Sequence, residues 1–168
     1  RIPFERGLLG HEKRAEPYSK AEHLHLALAD LGPTFIKLGQ VLSTRSDLLP
    51  PEYIAELTKL QDAAPPVANT DIVSIVKVEL GSAPENIFAA FDPIPRASAS
   101  LGQAHAARLK DGTPVIVKVQ RPGVEQLIER DLAVLAEIAA GMANRTAFGQ
   151  YYDLPGMVEE FSFAIRDE

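Results

Sequence analysis

Apolar residues recur at helical spacing through the first eighty or so positions and change to strand spacing near position 87. The stretch SKAEHLHLALADL, residues 19–31, is rich in helix formers, and Ser19 stands where an N-cap belongs. Gly32 then breaks the pattern, and Pro33 suits the first position of a new helix. In that second helix Phe35, Leu38 and Leu42 fall at i, i+3 and i+7, one buried stripe. LLPPEYIAELTKLQ repeats the device, with Pro51 opening a helix that turns Tyr53, Ile54, Leu57 and Leu60 inward. After the linker DAAPPVAN, the stretch TDIVSIVKVELG predicts a fourth helix with Thr70 as its cap and Gly81 as its stop. Four short helices joined by Pro-rich turns define a helical unit, assigned to residues 1–82.

From residue 83 onward the periodicity changes. IFAAFDPIPRASAS reads as a turn running into a first strand, LGQAHAARLK as a second and TPVIVKVQ as a third. Asp111-Gly112 between the last two is a hairpin turn, because both residues favour the positive backbone angles such turns need. Gly123 opens a long helix to about Ala143, with Val124, Leu127, Ile128, Leu132, Leu135 and Ile138 at helical spacing. A last helix starts near Leu154-Pro155 and carries Met157, Val158, Phe161 and Ile165. The fold class is α+β: a helical unit packed on a lobe, residues 83–168, built of a three-stranded antiparallel sheet plus helices. Neither an internal repeat nor a low-complexity tract is visible.

Composition narrows the function. With 168 residues, 46% hydrophobic and 24% charged, the chain is an ordinary globular protein of one compact domain or two small units sharing a core. A net charge of -6 argues against a nucleic-acid partner and against docking on anionic lipid by charge alone. The absence of cysteine excludes a disulfide framework and a Cys-based zinc site. No stretch approaches the ~20 apolar residues of a membrane span, and the best candidate, Ala133 to Ala143, carries Glu137. The chain begins with Arg1 and stops in EEFSFAIRDE, a helical pattern without a stop signal, so it reads as a fragment of a longer protein.

One residue in the third strand raises a chemical question. Alternation puts Val115, Val117 and Val119 on one face and Ile116, Lys118 and Gln120 on the other. A lysine in such a run either snorkels outward from an edge strand or points into a cleft to meet an anion. The strand alone does not choose between them. The preceding loop shifts the balance, because small residues let backbone N–H groups come close to phosphate oxygens. A small-residue turn between strands, a hairpin, and then an apolar strand bearing one lysine is the layout of a protein-kinase N-lobe. Here Ala97-Ser98-Ala99-Ser100, with a single glycine at Gly102, stands in place of the Gly-rich loop.

Three motifs carry a closer resemblance: KLGQ at 37–40, ASASLGQAH at 97–105 and VIVKVQRPG at 115–123. Together with the context LGPTFIKLGQVLSTRSDLLPPEYIAELTKLQD, they resemble the UbiB/AarF family of atypical, kinase-like proteins linked to ubiquinone biosynthesis. The resemblance covers about residues 20–168. It implies a partial kinase-like N-lobe with an added helical unit. Lys37, Gly39 and Gln40 would gate the cleft, although periodicity alone makes Lys37 and Gln40 a solvated polar face. The loop Arg96, Ala97, Ser98, Ala99, Ser100, Leu101, Gly102, Gln103 and Ala104 would contact nucleotide, and Lys118 would hold its phosphates. Glu168 would begin a Glu-x-Asp motif and pair with Lys37. The carboxylate partner of Lys118 would lie beyond it, since Glu125, Glu129 and Glu137 fall in a helix that the family inserts.

The implied cofactor is ATP or ADP with Mg²⁺, whose ligands are expected outside this chain, since no catalytic-loop Asp or Asp-Phe-Gly site follows Lys118. The implied activity of the intact protein is ATPase or small-molecule kinase-like chemistry supporting ubiquinone synthesis. Its partners would be pathway proteins or lipid precursors, and its place the cytoplasm in association with a membrane. A non-catalytic kinase-like scaffold is the alternative, and an ordinary protein-kinase fragment fits the Lys37 motif and the Ala-rich loop poorly. His23 and His25 read as surface histidines, His105 as structural, Arg121-Pro122-Gly123 as backbone geometry, and Arg166 and Asp167 as surface charges.

Overall fold

The computed structural model describes residues 17–60 and 66–168. The start of the helical unit, residues 1–16, and the beginning of the DAAPPVAN linker lie outside them. Helix α1, Lys20–Leu31, opens on a capping box in which Ser19 Oγ accepts from the Glu22 amide and the Glu22 carboxylate accepts from the Ser19 amide. Gly32, at φ 100°, turns the chain directly into α2, Pro33–Ser43. Helix α3, Pro51–Leu57, starts at its own proline. Helix α4, Asn69–Leu80, ends where Gly81 takes the left-handed conformation. Its N-cap is Ala68, so Thr70 lies inside the first turn and the expected Thr70 cap is absent. A single-turn helix α5, Pro84–Ile87, leads into the sheet.

The sheet has four strands, not three. Strand β1, Phe88–Phe91, and strand β2, Ala97–Ser98, pair with opposite ends of β3, Gly102–Leu109, while β4, Pro114–Gln120, pairs along the whole of β3. The expected first strand is thus split. Pro93 and Pro95 lack an N–H to give to the ladder, and Ile94 instead donates to Asp92 Oδ1. On either side of the break the ladder holds, with the Asp92 amide on Ala106 O and the Arg96 amide on Ala104 O. Helix α6, Val124–Ala143, leaves β4 through Gly123 at φ 74°. A short α7, Ala147–Tyr151, precedes α8, Leu154–Arg166, which Asp153 caps.

Two apolar cores result. The larger joins Leu28, Phe35, Leu57 and Leu60 of the first three helices and the turn after α3 to Val124, Ile128, Leu132 and Leu135 of α6 and Phe161 and Ile165 of α8. Leu101, from the loop before β3, belongs to it as well. The smaller core sets Ile72 and Val76 of α4 against Phe88, Ala107 and Val119 of the sheet, with Val115 and Val117 beside them. Helix α4 therefore packs with the strands, and the grouping of four helices into one unit is corrected to three. The reason is the spacing of its apolar stripe, which presents Ile72 and Val76 to the sheet.

Ile72 is fully buried in the smaller core. Ile72→Ala is expected to destabilise the fold by about 2–5 kcal/mol, with hydrogen exchange rising in β1 and β4 before α1–α3. Loosening of α1–α3 first would show that α4 belongs with them.

Candidate functional site

The ASASLGQAH and VIVKVQRPG motifs meet at the end of the sheet where β4 runs into α6, and Lys37 of the KLGQ motif is joined to that place through Glu168. A cavity of about 150 Å³ lies there, walled by Ala97, Ala99 and Leu101–Ala104 on one side and Lys118–Gln120 on the other. Val124, Ile128, Ile165 and Glu168 close it. A larger hollow of about 510 Å³ adjoins it across Lys118, Gln120 and Glu168 and extends under the C-terminal end of α4.

Lys118 sits opposite Ala104 in the β3–β4 register, on the face turned away from the smaller core. It is exposed and makes no hydrogen bond or ion pair with a described residue. The nearest carboxylate on the cavity wall, Glu168, is engaged elsewhere. Lys37 Nζ lies 2.5 Å from Glu168 Oε2, both side chains about two-thirds shielded, at 26% and 36% exposure. The pair bridges α2 to Glu168, two residues past the end of α8.

The rest of the KLGQ motif faces another way. Gly39 is buried, and a Cβ there would overlap Leu60 Cδ1 and come within 3.0 Å of Leu28 Cδ1. Gln40 Nε2 donates to Leu60 O at 3.3 Å. Only Lys37 reaches toward the cleft; its two companions seat α2 against α1 and the turn after α3.

Loop residues divide in the same way. Ala97, Ala99, Leu101, Gly102, Gln103 and Ala104 line the cavity, whereas Arg96, Ser98 and Ser100 do not. The Arg96 side chain is exposed near Asp92, at 4.0 Å. At Gly102 the β4 backbone leaves no room for a side chain, since a Cβ there would stand 2.8 Å from Val119 O. Behind the loop lies Arg121, which sequence reasoning took only as part of a backbone turn. Its amide donates to Leu101 O at 3.0 Å, its Nε to Ala99 O at 2.8 Å and its Nη2 to Ser98 Oγ at 3.0 Å. The antiparallel register was the available signal, because the residue leaving β4 must come level with the loop that enters β3.

Gln103 and His105 are buried polar residues on β3. A carbonyl only accepts, so His105 Nδ1 donates to Asp92 O at 2.9 Å, leaving Nε2 to accept from Gln103 Nε2 at 2.9 Å. Gln103 Oε1 accepts from the Val67 amide at 2.8 Å, and Phe91 stacks on the imidazole. His105 is structural. So is His25, which donates from Nδ1 to Glu56 O and ties α1 to α3.

Near the C-terminal end of α8 a bidentate pair links it to α6, with Arg166 Nε 2.7 Å from Glu129 Oε1 and Nη2 2.9 Å from Oε2. The guanidinium hydrogen bonds hold the Glu129 carboxyl below the usual carboxylate range.

A family model, the ABC1 atypical kinase-like domain, matches residues 59–168. The chain belongs to this family. Among curated relatives of this ABC1 chain, several bear the name "Probable protein kinase UbiB". The one from Azotobacter vinelandii is 44% identical over 93% of this chain and 29% of its own length; that from Cellvibrio japonicus is 42% identical over 89% and 27%. An uncharacterized Synechocystis protein is 47% identical over 84% of this chain and 24% of its own length. The ABC1 chain thus spans about a quarter of the relatives it matches. Its fold is similar to that of Rv3197 from Mycobacterium tuberculosis, solved in complex with erythromycin, at TM-score 0.51 and 31% identity over 84% of this chain and 36% of that one.

Two expectations for the ABC1 chain follow from these contacts. Gly39→Ala must push Leu60 and Leu28 aside, and is expected to cost about 1–3 kcal/mol; an unchanged unfolding midpoint in urea would refute the close packing. Glu129 contributes stability that is present above the unfolded carboxylate pKa, about 4.3, and lost as pH falls through its lowered folded value. The melting-temperature gap between wild type and Glu129→Gln should therefore close on acidification below about pH 4. A gap that persists there would mean the pair acts through packing.

Proposed function

We propose that this chain supplies the N-lobe half of a nucleotide site in an atypical kinase or ATPase, with ATP or ADP as ligand. The observation that carries this is Lys118: an ammonium without a partner among the described residues, on the cleft face of β4, one strand away from a loop of small residues. In a kinase-type site the lysine neutralises phosphate oxygens and the loop backbone approaches them closely. Lys37, held by Glu168, would stand at the border of that cleft as its gate. The cavity of about 150 Å³ is smaller than the ~300–1,000 Å³ of a site that buries a drug-sized ligand. The adjoining hollow of about 510 Å³ on the other side of Lys118 brings the room into that range. Among the described residues no cluster of three or more His, Asp or Glu could hold a metal. The UbiB names of the relatives support ubiquinone biosynthesis as the setting, with a membrane-associated intact protein and lipid precursors or pathway proteins as partners. No described helix is long and apolar enough to cross a membrane.

One feature favours a second reading, a kinase-like scaffold without turnover. An apolar groove of about 450 Å³ runs between α2, α6 and α8, with Val41, Ile138 and Met142 partly exposed along it.

In the full-length protein, Lys118→Ala is expected to abolish ADP and ATP binding in a calorimetric titration. Unchanged affinity would overturn the assignment. Ordinary affinity with no turnover in the wild type would favour the scaffold.

A further inference from the structure

We propose that Arg121 is a positioning residue for nucleotide phosphates: it occupies the acceptor groups of the small-residue loop so that the loop presents donors to an anion. The inference rests on the nucleotide reading above. Ala97, Ser98, Ala99 and Ser100 have too little side chain to hold a loop by packing. Within the loop the Ala99 amide donates to Gly102 O at 2.8 Å, and the following Leu101 is anchored in the larger core. Between these points the backbone path is set from behind by Arg121, which takes Ser98 Oγ, Ala99 O and Leu101 O.

All three of those groups are acceptors, and the chemistry of that choice matters. A phosphate oxygen is repelled by carbonyl and hydroxyl lone pairs and attracted by N–H groups. Turning Ser98 Oγ and Ala99 O onto the guanidinium, with Leu101 O held by the Arg121 amide, keeps these three acceptors away from an anion in the cleft. It also sets a fixed positive charge behind the loop, while Lys118 supplies a second from β4. The half-buried guanidinium has the planar fork that several simultaneous hydrogen bonds require, and a lysine ammonium does not.

The test uses the full-length protein, with ADP and adenosine as probes and calorimetry and competition as readouts. Arg121→Gln is expected to weaken ADP by about tenfold to a hundredfold, the range for losing hydrogen bonds to a charged group, and to leave adenosine within about threefold. Arg121→Lys should restore little of the loss. Hydrogen exchange of the Ala99 amide should rise in both variants. Ser98→Ala removes one bond without touching the guanidinium and serves if Arg121→Gln does not fold; it should weaken ADP by a smaller factor, again sparing adenosine. Equal weakening of ADP and adenosine would mean general loosening and would overturn the proposal, as would unchanged ADP affinity. A wild-type protein that binds no ADP would fail the nucleotide reading itself, before any variant is compared, and the proposal would fall with it.

Discussion

Leu101 leaves the edge of the sheet and enters the apolar core that Phe35, Val124, Ile128 and Phe161 build from three different helices. Burying a leucine is worth about 1.5–3 kcal/mol, and here that burial also fixes a position. The residues before Leu101 form the small-residue loop, and those after it form β3. With Leu101 seated, the loop cannot lift off the helices without opening the larger core. The cavity wall, the Lys118 face of β4 and the closing end of α8 all take their relative places from this one side chain.

Electrostatics then distributes three charges over a short distance. Glu168 and Lys118 share the cavity wall, and the carboxylate is paired with Lys37 at 2.5 Å. A partly shielded ion pair is stronger than a surface one, because less water screens it. The price of that pairing is an ammonium on Lys118 with no ion pair among the described residues. Such a group is tolerated because it stays in contact with solvent, and it keeps its attraction for any anion that enters.

Regular elements were legible wherever local rules acted alone. The Ser19 cap, the Gly32-Pro33 junction, the Gly81 stop and the Asp111-Gly112 hairpin are each fixed by residues within a turn of one another, and each stands where the pattern puts it. Partnership between elements was not legible. The apolar stripe of α4 says that one face is buried but not against what, and the short α5 and α7 give too few residues for a period to show. The single strand expected before β3 was split by two prolines whose missing amides matter only once β3 lies beside them. At the site, Lys118 could be picked out from its strand, and Lys37 from the family motif. Gly39 and Gln40 share that motif, yet their surroundings are made by Leu28 of α1, eleven residues before Gly39, and by Leu60 in the turn after α3, some twenty residues on. Arg121 went unnoticed because a charged residue at a strand end is ordinary until the facing loop is known.

The hydrogen-bonded chain from the Val67 amide through Gln103 and His105 to Asp92 O runs in one direction, each group donating to the next or accepting from the last. Its two side chains lie on alternate positions of β3, hence on one face. If β3 paired one residue out of step, Gln103 and His105 would turn to the opposite face and leave the Val67 amide and Asp92 carbonyl without them. A strand of which half is alanine and glycine has little apolar bulk with which to sense such an error. The buried amide and imidazole supply that sense, so mispaired chains would be rejected by unsatisfied polar groups during folding and not by misfitting hydrophobic ones.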